Sequence, residues 1–375
     1  MRFRIPWQAA LAALFLPLIG CAPQAQVSAP GRFVAPATPL ALPQSAPEPV
    51  RRVGLLLPLT GGNAALGQAM LNAAQLALFD QGDRRIELLP RDTRSTASGA
   101  AEAARDAENE GALALAGPLT LGETAAVART TRVPVFAFTS DEAQAGGRVW
   151  VLGITPTQQA RRVMSAANEQ GAQRFGLLAS NDAFGQRLAT AMRETARQAG
   201  WPAPVIQLVP QRTEEFAAQA EALRAANVEA VLVAFAGAGA RAAAQSLAEG
   251  GSRPLILGTI LWAAEANLGD EPALAGALFP GPDPSGRNRF DQQFEAAFEA
   301  RASRLAGPAY DAVALAARTA REGAPPVGSA FLGADGPIQL DAGGVTRRGL
   351  AVFALQPGGP PRLVSPAPVP GGAGS

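Results

Sequence analysis

The 375 residues contain one cysteine, Cys21, and it follows Leu18-Ile19-Gly20. Small residues ahead of a cysteine form the pattern of a bacterial lipobox, in which the sulfur is acylated and the cysteine becomes the new N-terminus. The preceding segment has a basic start (Arg2, Arg4) and an apolar run from Trp7 to Leu16, the order of a secretory signal over residues 1–20. That run is short for a membrane span. The competing reading is an ordinary signal peptide with an incidental cysteine. A lone thiol in an exported chain has no internal disulfide partner, however, and acylation gives it a use. The expectation is a body held to a membrane through lipidated Cys21.

The rest of the chemistry is bounded by absences. There is no histidine, and all 32 basic residues are arginine. Without imidazole there is no Ser-His-Asp triad and no ordinary zinc site. Without lysine there is no Schiff base and no P-loop of the G-x-x-x-x-G-K-[ST] type. No G-x-S-x-G occurs. A carboxylate pair, an activated Ser or Thr with an unusual base, or an oxygen-ligand metal site would remain. Asp80, Asp83, Asp283 and Asp291 do not form a calcium-loop pattern and read as solvated carboxylates. The chain is therefore expected not to be an enzyme and to need no cofactor or metal. The formal net charge of +1 argues against a nucleic-acid partner, which needs a basic face.

Residues 21–50 are rich in Pro, Ala, Gln and Ser and read as a tether. In polyproline form it would reach roughly 90 Å at about 3.1 Å per residue. Residues 358–375 are similar and are expected to be a disordered tail. Between them strands and helices alternate. Val53–Leu59 is a continuous apolar run of the kind found in buried parallel strands. A helix follows with Leu66, Met70, Leu71, Ala74 and Leu78 at helical spacing. Strands are expected at 86–90, 112–116 and 133–138, with helices at 97–111 and 121–131. The pattern restarts with strands at 174–179, 205–209, 228–235 and 255–259 and helices at 184–200, 214–226 and 240–250. Repeated βαβ units predict α/β architecture with doubly wound (Rossmann-like) sheets.

The restart carries an echo. Asn63-Ala64-Ala65-Leu66-Gly67-Gln68 and Asn181-Asp182-Ala183-Phe184-Gly185-Gln186 share N-x-A-[LF]-G-Q, each at the first strand-to-helix loop of its block. Six residues can agree by chance in an alanine-rich chain. The shared position favours a duplicated lobe, each copy placing polar atoms at the carboxyl ends of its strands, where open α/β sheets bind ligands.

With these segments placed, the chain resembles the type I periplasmic binding proteins of the leucine-binding-protein-like group over about residues 52–356. The carriers are Val53-Gly54-Leu55-Leu56-Leu57-Pro58-Leu59-Thr60-Gly61, Ala116-Gly117-Pro118-Leu119-Thr120, Val133 to Ser140, Asn181 to Gly185, Tyr310-Asp311-Ala312-Val313, Gly336 to Asp341, and Arg348-Gly349-Leu350-Ala351-Val352-Phe353. The resemblance implies two lobes joined by three crossings, near Gly153–Pro156, Phe279–Pro282 and Ala330–Gly336. The N-terminal lobe would combine 51–154 with 281–330, and the C-terminal lobe 155–280 with 334–357.

In amino-acid-binding relatives, hydroxyls at the ends of two strands hold the ligand carboxylate. Thr120, Thr139 and Ser140 match those places, with helix capping as their competing role. Asn181 and Phe184 fall in the matching loop of the other lobe, Phe184 standing where a tyrosine is frequent. The acid expected to pair with a ligand ammonium is missing, unless Glu265 or Asp182 reaches in. Trp262 would stack on a ligand or else pack in the core.

The lipobox, the tether and the Arg348–Phe353 ending are similar to the lipoproteins called penicillin-binding protein activators. That likeness implies contact with a peptidoglycan synthase, at the periplasmic side of an outer membrane because Ala22 rather than aspartate follows Cys21. The wider group implies the alternative of an ABC-transporter substrate-binding protein, with a permease as partner and an amino-acid-like ligand in the interlobe cleft.

Overall fold

The computed structural model describes residues 49–369 apart from Ser252 and Ala266. The signal, Cys21, nearly all of the tether and residues 370–375 lie outside the described residues.

The first lobe is built from β1 (Arg51–Leu57), α1 (Ala64–Gln81), β2 (Ile86–Asp92), α2 (Ala97–Asn109), β3 (Ala112–Ala116), α3 (Leu121–Thr130), β4 (Val135–Ala137) and β5 (Val149–Val151). Its sheet runs β2-β1-β3-β4-β5, all parallel. The second lobe opens with α4 (Pro156–Glu169) and continues through β6 (Phe175–Ser180), α5 (Ala183–Ala199), β7 (Val205–Val209), α6 (Ala217–Ala225), β8 (Ala230–Val233), α7 (Gly237–Ala248), β9 (Leu255–Leu257) and β10 (Leu278–Gly281). Its parallel part runs β7-β6-β8-β9-β10, the same plan as the first sheet.

The chain then returns to the first lobe with α8 (Pro284–Phe298), α9 (Ala306–Glu322) and a small antiparallel sheet of β11 (Ala330–Gly333), β12 (Gly336–Leu340) and β13 (Thr346–Arg348). Finally β14 (Ala351–Ala354) and β15 (Arg362–Ser365) add antiparallel to β10 at the edge of the second sheet.

Both sheets are covered on both faces, so their strands are continuously apolar. In the first lobe Met70, Ala74, Val313 and Ala316 close over Val53, Leu55 and Leu57 on one side. Ala100, Ala104 and Val127 close over Leu56 and Leu115 on the other. The second lobe pairs Val163, Met164, Leu188 and Met192 with Leu177 and Leu232, and places Leu223, Leu247, Trp262 and Phe279 on the opposite face. Each buried Leu, Val or Met contributes about 1.5–3 kcal/mol.

The glycine of the echoed hexapeptide has the same role in both lobes. A Cβ on Gly67 would lie 2.2 Å from the Pro58 carbonyl oxygen, and one on Gly185 would lie 2.0 Å from the Ser180 carbonyl oxygen. Only glycine lets the helix that follows each lobe's first strand sit this close to the end of that strand.

Two expectations need correction. The third crossing lies at Gly349–Leu350, not Ala330–Gly336. Ile338 and Leu340 are buried in the first-lobe core. The Val151 N–H donates to the Gly344 carbonyl at 2.9 Å, and the Trp150 indole N–H donates to the Asp341 carbonyl at 3.0 Å. Residues 334–348 therefore pack with the first lobe, and only β14 and β15 extend the second sheet. The expected disordered tail is the other correction. Arg362–Ser365 pairs with β14, because the short run Leu363-Val364 between flanking prolines can satisfy that strand's open edge. Arg162 holds this strand in place, donating through Nη2 to the Ser365 hydroxyl at 2.6 Å and to the Pro366 carbonyl at 3.1 Å.

Candidate functional site

The carboxyl ends of both parallel sheets face a cleft of about 900 Å³. The first lobe contributes Leu119 after β3, Phe138, Thr139 and Ser140 after β4, the start of α8, and the loop before α9. The second lobe contributes Gln159 on α4, Phe184 on α5, Ile260, Leu261 and Ala263 after β9, and Phe279 and Phe353. Ile154 and Pro282 line it from the crossings. Leu261 and Leu305 are 48% and 40% exposed and form apolar lips on opposite lobes. Another depression, of about 800 Å³, lies between Gln245–Ile256 and Glu271–Ala277 and receives none of the residues singled out in the sequence.

The structure brings some of those residues together and not others. Thr139, Ser140 and Phe184 line the cleft. Thr139 is buried and its hydroxyl accepts the Asp141 N–H at 3.2 Å. Ser140 is exposed, with a hydroxyl that has no partner among the described residues. Thr120 is not in the lining. Its hydroxyl accepts the Glu123 N–H at 3.3 Å while the Glu123 carboxylate accepts the Thr120 N–H at 2.8 Å, a reciprocal helix cap. Asn181 is also outside the lining, its side-chain oxygen accepting from Gln186 at 3.0 Å. The stacking role expected of Trp262 is corrected. The side chain is 0% exposed, and its indole N–H donates to the Phe235 carbonyl at 2.7 Å. A Cβ on Gly258 would lie 2.2 Å from the Trp262 ring, so that glycine makes the room the indole occupies in the core.

Neither candidate acid is in the lining. Asp182 caps α5, accepting the Gly185 N–H at 2.9 Å. The Glu265 carboxylate lies beside Gly237 at the start of α7. The one acid in the lining, Asp335, is buried and accepts from Arg287 at 3.2 Å. Arg287 is fully engaged, donating also to Asp291 at 2.9 Å and to the carbonyls of Ala302 and Ser303 at 3.3 and 3.2 Å. Burial pulls its pKa down, but Asp291 and Asp335 more than offset this and hold it above the ordinary value.

Arg304 differs. It donates to the Ala263 carbonyl across the cleft, and no carboxylate lies within ion-pair distance of it among the described residues. Desolvation lowers its pKa, and so does the neighbouring positive charge of Arg287, against the smaller opposing pull of the Glu265 carboxylate. The sequence reading passed over Arg304, because its position in the cleft depends on the loop between α8 and α9. The Asn288 amide completes the polar lining.

The lobes also touch directly near the first crossing, where the Gly153 N–H donates to the Thr139 carbonyl. Arg187 on α5 grips Asp141 through both terminal guanidinium nitrogens, with Nη2 donating to Oδ2 at 2.7 Å. Asp141 is 5% exposed. Deeper, beside the crossings, Arg348 donates to Asp311 at 2.9 Å and to the Leu152 carbonyl at 3.3 Å. Among the described residues, no group of acidic, histidine or cysteine side chains is placed to hold a metal, and no helix is long and apolar enough to cross a membrane.

Known structures share this architecture. A protein assigned to branched-chain amino acid ABC transport, from Rhodospirillum rubrum, matches 84% of this chain and 100% of its own at TM-score 0.73 and 20% identity. The C-domain of LpoA from Haemophilus influenzae, a regulator of PBP1A, matches 84% of this chain and 99% of its own at TM-score 0.67 and 18% identity. The chain spans 59% of full-length LpoA. A solute-binding protein of an ABC transporter from R. palustris, in complex with benzoate, matches 86% of this chain and 99% of its own at TM-score 0.56 and 20% identity. At these identities the likeness is one of fold. Among curated proteins none matches this sequence. The family model described as "Periplasmic binding protein" matches residues 51–334. This chain belongs to the periplasmic binding protein family.

Proposed function

We propose that the chain is a non-enzymatic lipoprotein of the cell envelope, anchored through Cys21 to the outer membrane and facing the periplasm, that activates a peptidoglycan synthase. One observation carries this reading. The one carboxylate in the cleft lining, Asp335, is taken by Arg287, Asp182 caps α5, and Glu265 stands outside the lining with its charge acting on Arg304. Burying an unpaired charge costs several kcal/mol, so the chemistry of a free amino-acid receptor is not built here. The lobes are meanwhile clasped by Asp141 and Arg187. The fold likeness to the LpoA C-domain supports the same reading. The test uses the lipidated full chain as bait in solubilised envelope and then measures glycan polymerisation. A synthase should be retained, and its rate should rise on adding the chain. No retained synthase together with an unchanged rate would reject the proposal.

The size of the cleft favours a second reading, an ABC-transporter substrate-binding protein for small molecules with a permease as partner. A volume of about 900 Å³ walled by Phe138, Phe184, Phe279 and Phe353 is within the range of ligand pockets. The benzoate-bound R. palustris protein shows that this fold accepts an aromatic acid. Thermal-shift screening tests this reading, because a ligand at a hundred times its Kd stabilises by about 2.7 kcal/mol.

A further inference from the structure

We propose that residues 362–368 form a releasable strap over the third crossing, so that docking and undocking of this strap set how freely the two lobes swing.

The contacts of the strap converge on the crossing. Its strand, β15, pairs with β14, with Ala354 opposite Arg362 and Val352 opposite Ser365. The residues after it reach Gly349. A Cβ on Gly349 would lie 2.3 Å from the Pro368 carbonyl oxygen and 3.4 Å from the Ala367 Cβ, so the strap rests on the bare Cα of a glycine. The Gly349 N–H donates to the Pro337 carbonyl of β12 at 2.9 Å. The crossing is thus flanked by first-lobe backbone and by the strap. Arg162 of α4 joins the two, because its Nε donates to the Leu350 carbonyl at 2.6 Å while its Nη2 serves Ser365 and Pro366. One buried guanidinium therefore ties both the crossing and the strap to the second lobe.

Glycine has the widest choice of backbone torsions, and a hinge needs residues that absorb rotation. A carbonyl pressed against the Gly349 Cα removes that freedom, and lifting the strap restores it. Lifting it is also inexpensive. Leu363 and Val364 are 43% and 36% exposed, so their departure gives up little apolar burial. The strand is at the sheet edge and has ladder bonds on one side only. Burial lowers the Arg162 pKa against the smaller opposing pull of Glu169, and an undocked strap lets water reach Nη2, so the cation is rehydrated rather than stranded. Segments held by few buried contacts open locally, at a free energy below that of global unfolding. Pro361, immediately ahead of the strap, lines the cleft, which couples the cleft wall to the same event.

The test places spin labels on the two lips, through Leu261→Cys and Leu305→Cys in a Cys21→Ser background, and reads their distance distribution by double electron–electron resonance. It compares the full chain, a chain ending at Pro361, and Arg162→Gln, which keeps the full length. Hydrogen exchange on the unlabelled full chain reports on the strap itself. The β15 amides should exchange at least about tenfold faster than those of β8, and Arg162→Gln should speed them about tenfold further. Both variants should give a label distribution about twofold broader and displaced to longer distance. Strap amides as slow as those of β8, strap exchange unaffected by Arg162→Gln, a shortened chain that no longer melts cooperatively, or an unchanged label distribution in either variant would each overturn the proposal.

Discussion

Removing the cross-lobe clasp should open the molecule. Asp141 and Arg187 come from different lobes and meet through two nitrogens and two oxygens. The Asp141 side chain is 7% exposed and that of Arg187 35%, so the pair lies between two known regimes. Exposed ion pairs contribute about 0.2–1 kcal/mol. Breaking a buried one by deleting a partner costs about 3–5 kcal/mol. A coupling of about 1–2 kcal/mol follows, which shifts the ratio of closed to open forms roughly 5- to 30-fold. Asp141→Asn is the informative change on one side, because the amide oxygen can still accept the Ala143 N–H that Asp141 now holds at 3.0 Å. Arg187→Gln is its counterpart. The two single variants and the double variant give a thermodynamic cycle by urea denaturation, and small-angle scattering gives the radius of gyration. Both single variants should scatter as more extended particles, and the double variant should be no less stable than the worse single one. A coupling energy below about 0.3 kcal/mol with superimposable scattering curves would refute the argument.

Three further outcomes are expected. Burial pushes the Asp311 carboxyl up to about 6 against the pull of Arg348. The folded state therefore binds this proton more tightly than the unfolded chain, and the resulting stability is complete below about pH 4 and lost as pH rises through 6. Asp311→Asn should flatten that part of the pH–stability curve and, at pH 7, destabilise by about 3–5 kcal/mol by stranding Arg348, as read from urea midpoints. Gly67→Ala and Gly185→Ala should each lower stability by about 1–3 kcal/mol in thermal melts, since each new methyl group meets a backbone carbonyl rather than a yielding side chain. Trp262→Phe should reduce stability by about 1–3 kcal/mol through the unpaired Phe235 carbonyl. It should leave the thermal-shift response to small molecules that enter the cleft unchanged, because that ring is not in the lining.

The alternating sheets were legible because both faces of each are covered, which writes strands as plain apolar runs such as Val53–Leu57 and Val231–Val233. The echo was legible for a reason now visible in Gly67 and Gly185, a helix lying against a carbonyl at equivalent places. The sequence reading missed β5 and α4. The start of α4 did carry a signal, since Thr155-Pro156-Thr157-Gln158 forms a capping box with proline at the first position. The place of the third crossing was not readable, because β12 is claimed by a core that joins α9 to α1 and β1, the latter two far away in sequence. Trp262 shows the same limit at the site. Its position in the chain says it is near the cleft, and only the space left by Gly258 says which way the ring turns. Arg304 had no local pattern at all, since what distinguishes it from Arg287 is which carboxylates reach each of them.

The guanidinium of Arg348 has a mechanical consequence. It stands just before one crossing, bonds the Leu152 carbonyl at the start of another, and faces Asp311 from α9, with both charged side chains wholly out of water. Any motion that pulled these strands of the hinge apart would cost a guanidinium buried in the protein its bond to the Leu152 carbonyl. The inexpensive motion is a swing about this point, as a door turns on its pin, with the far edge travelling most. The clasp between Asp141 and Arg187 stands close to that pin, since the Gly153 N–H donates to the Thr139 carbonyl and the Thr157 hydroxyl donates to Glu142, so a small opening there goes with a larger one at the far edge.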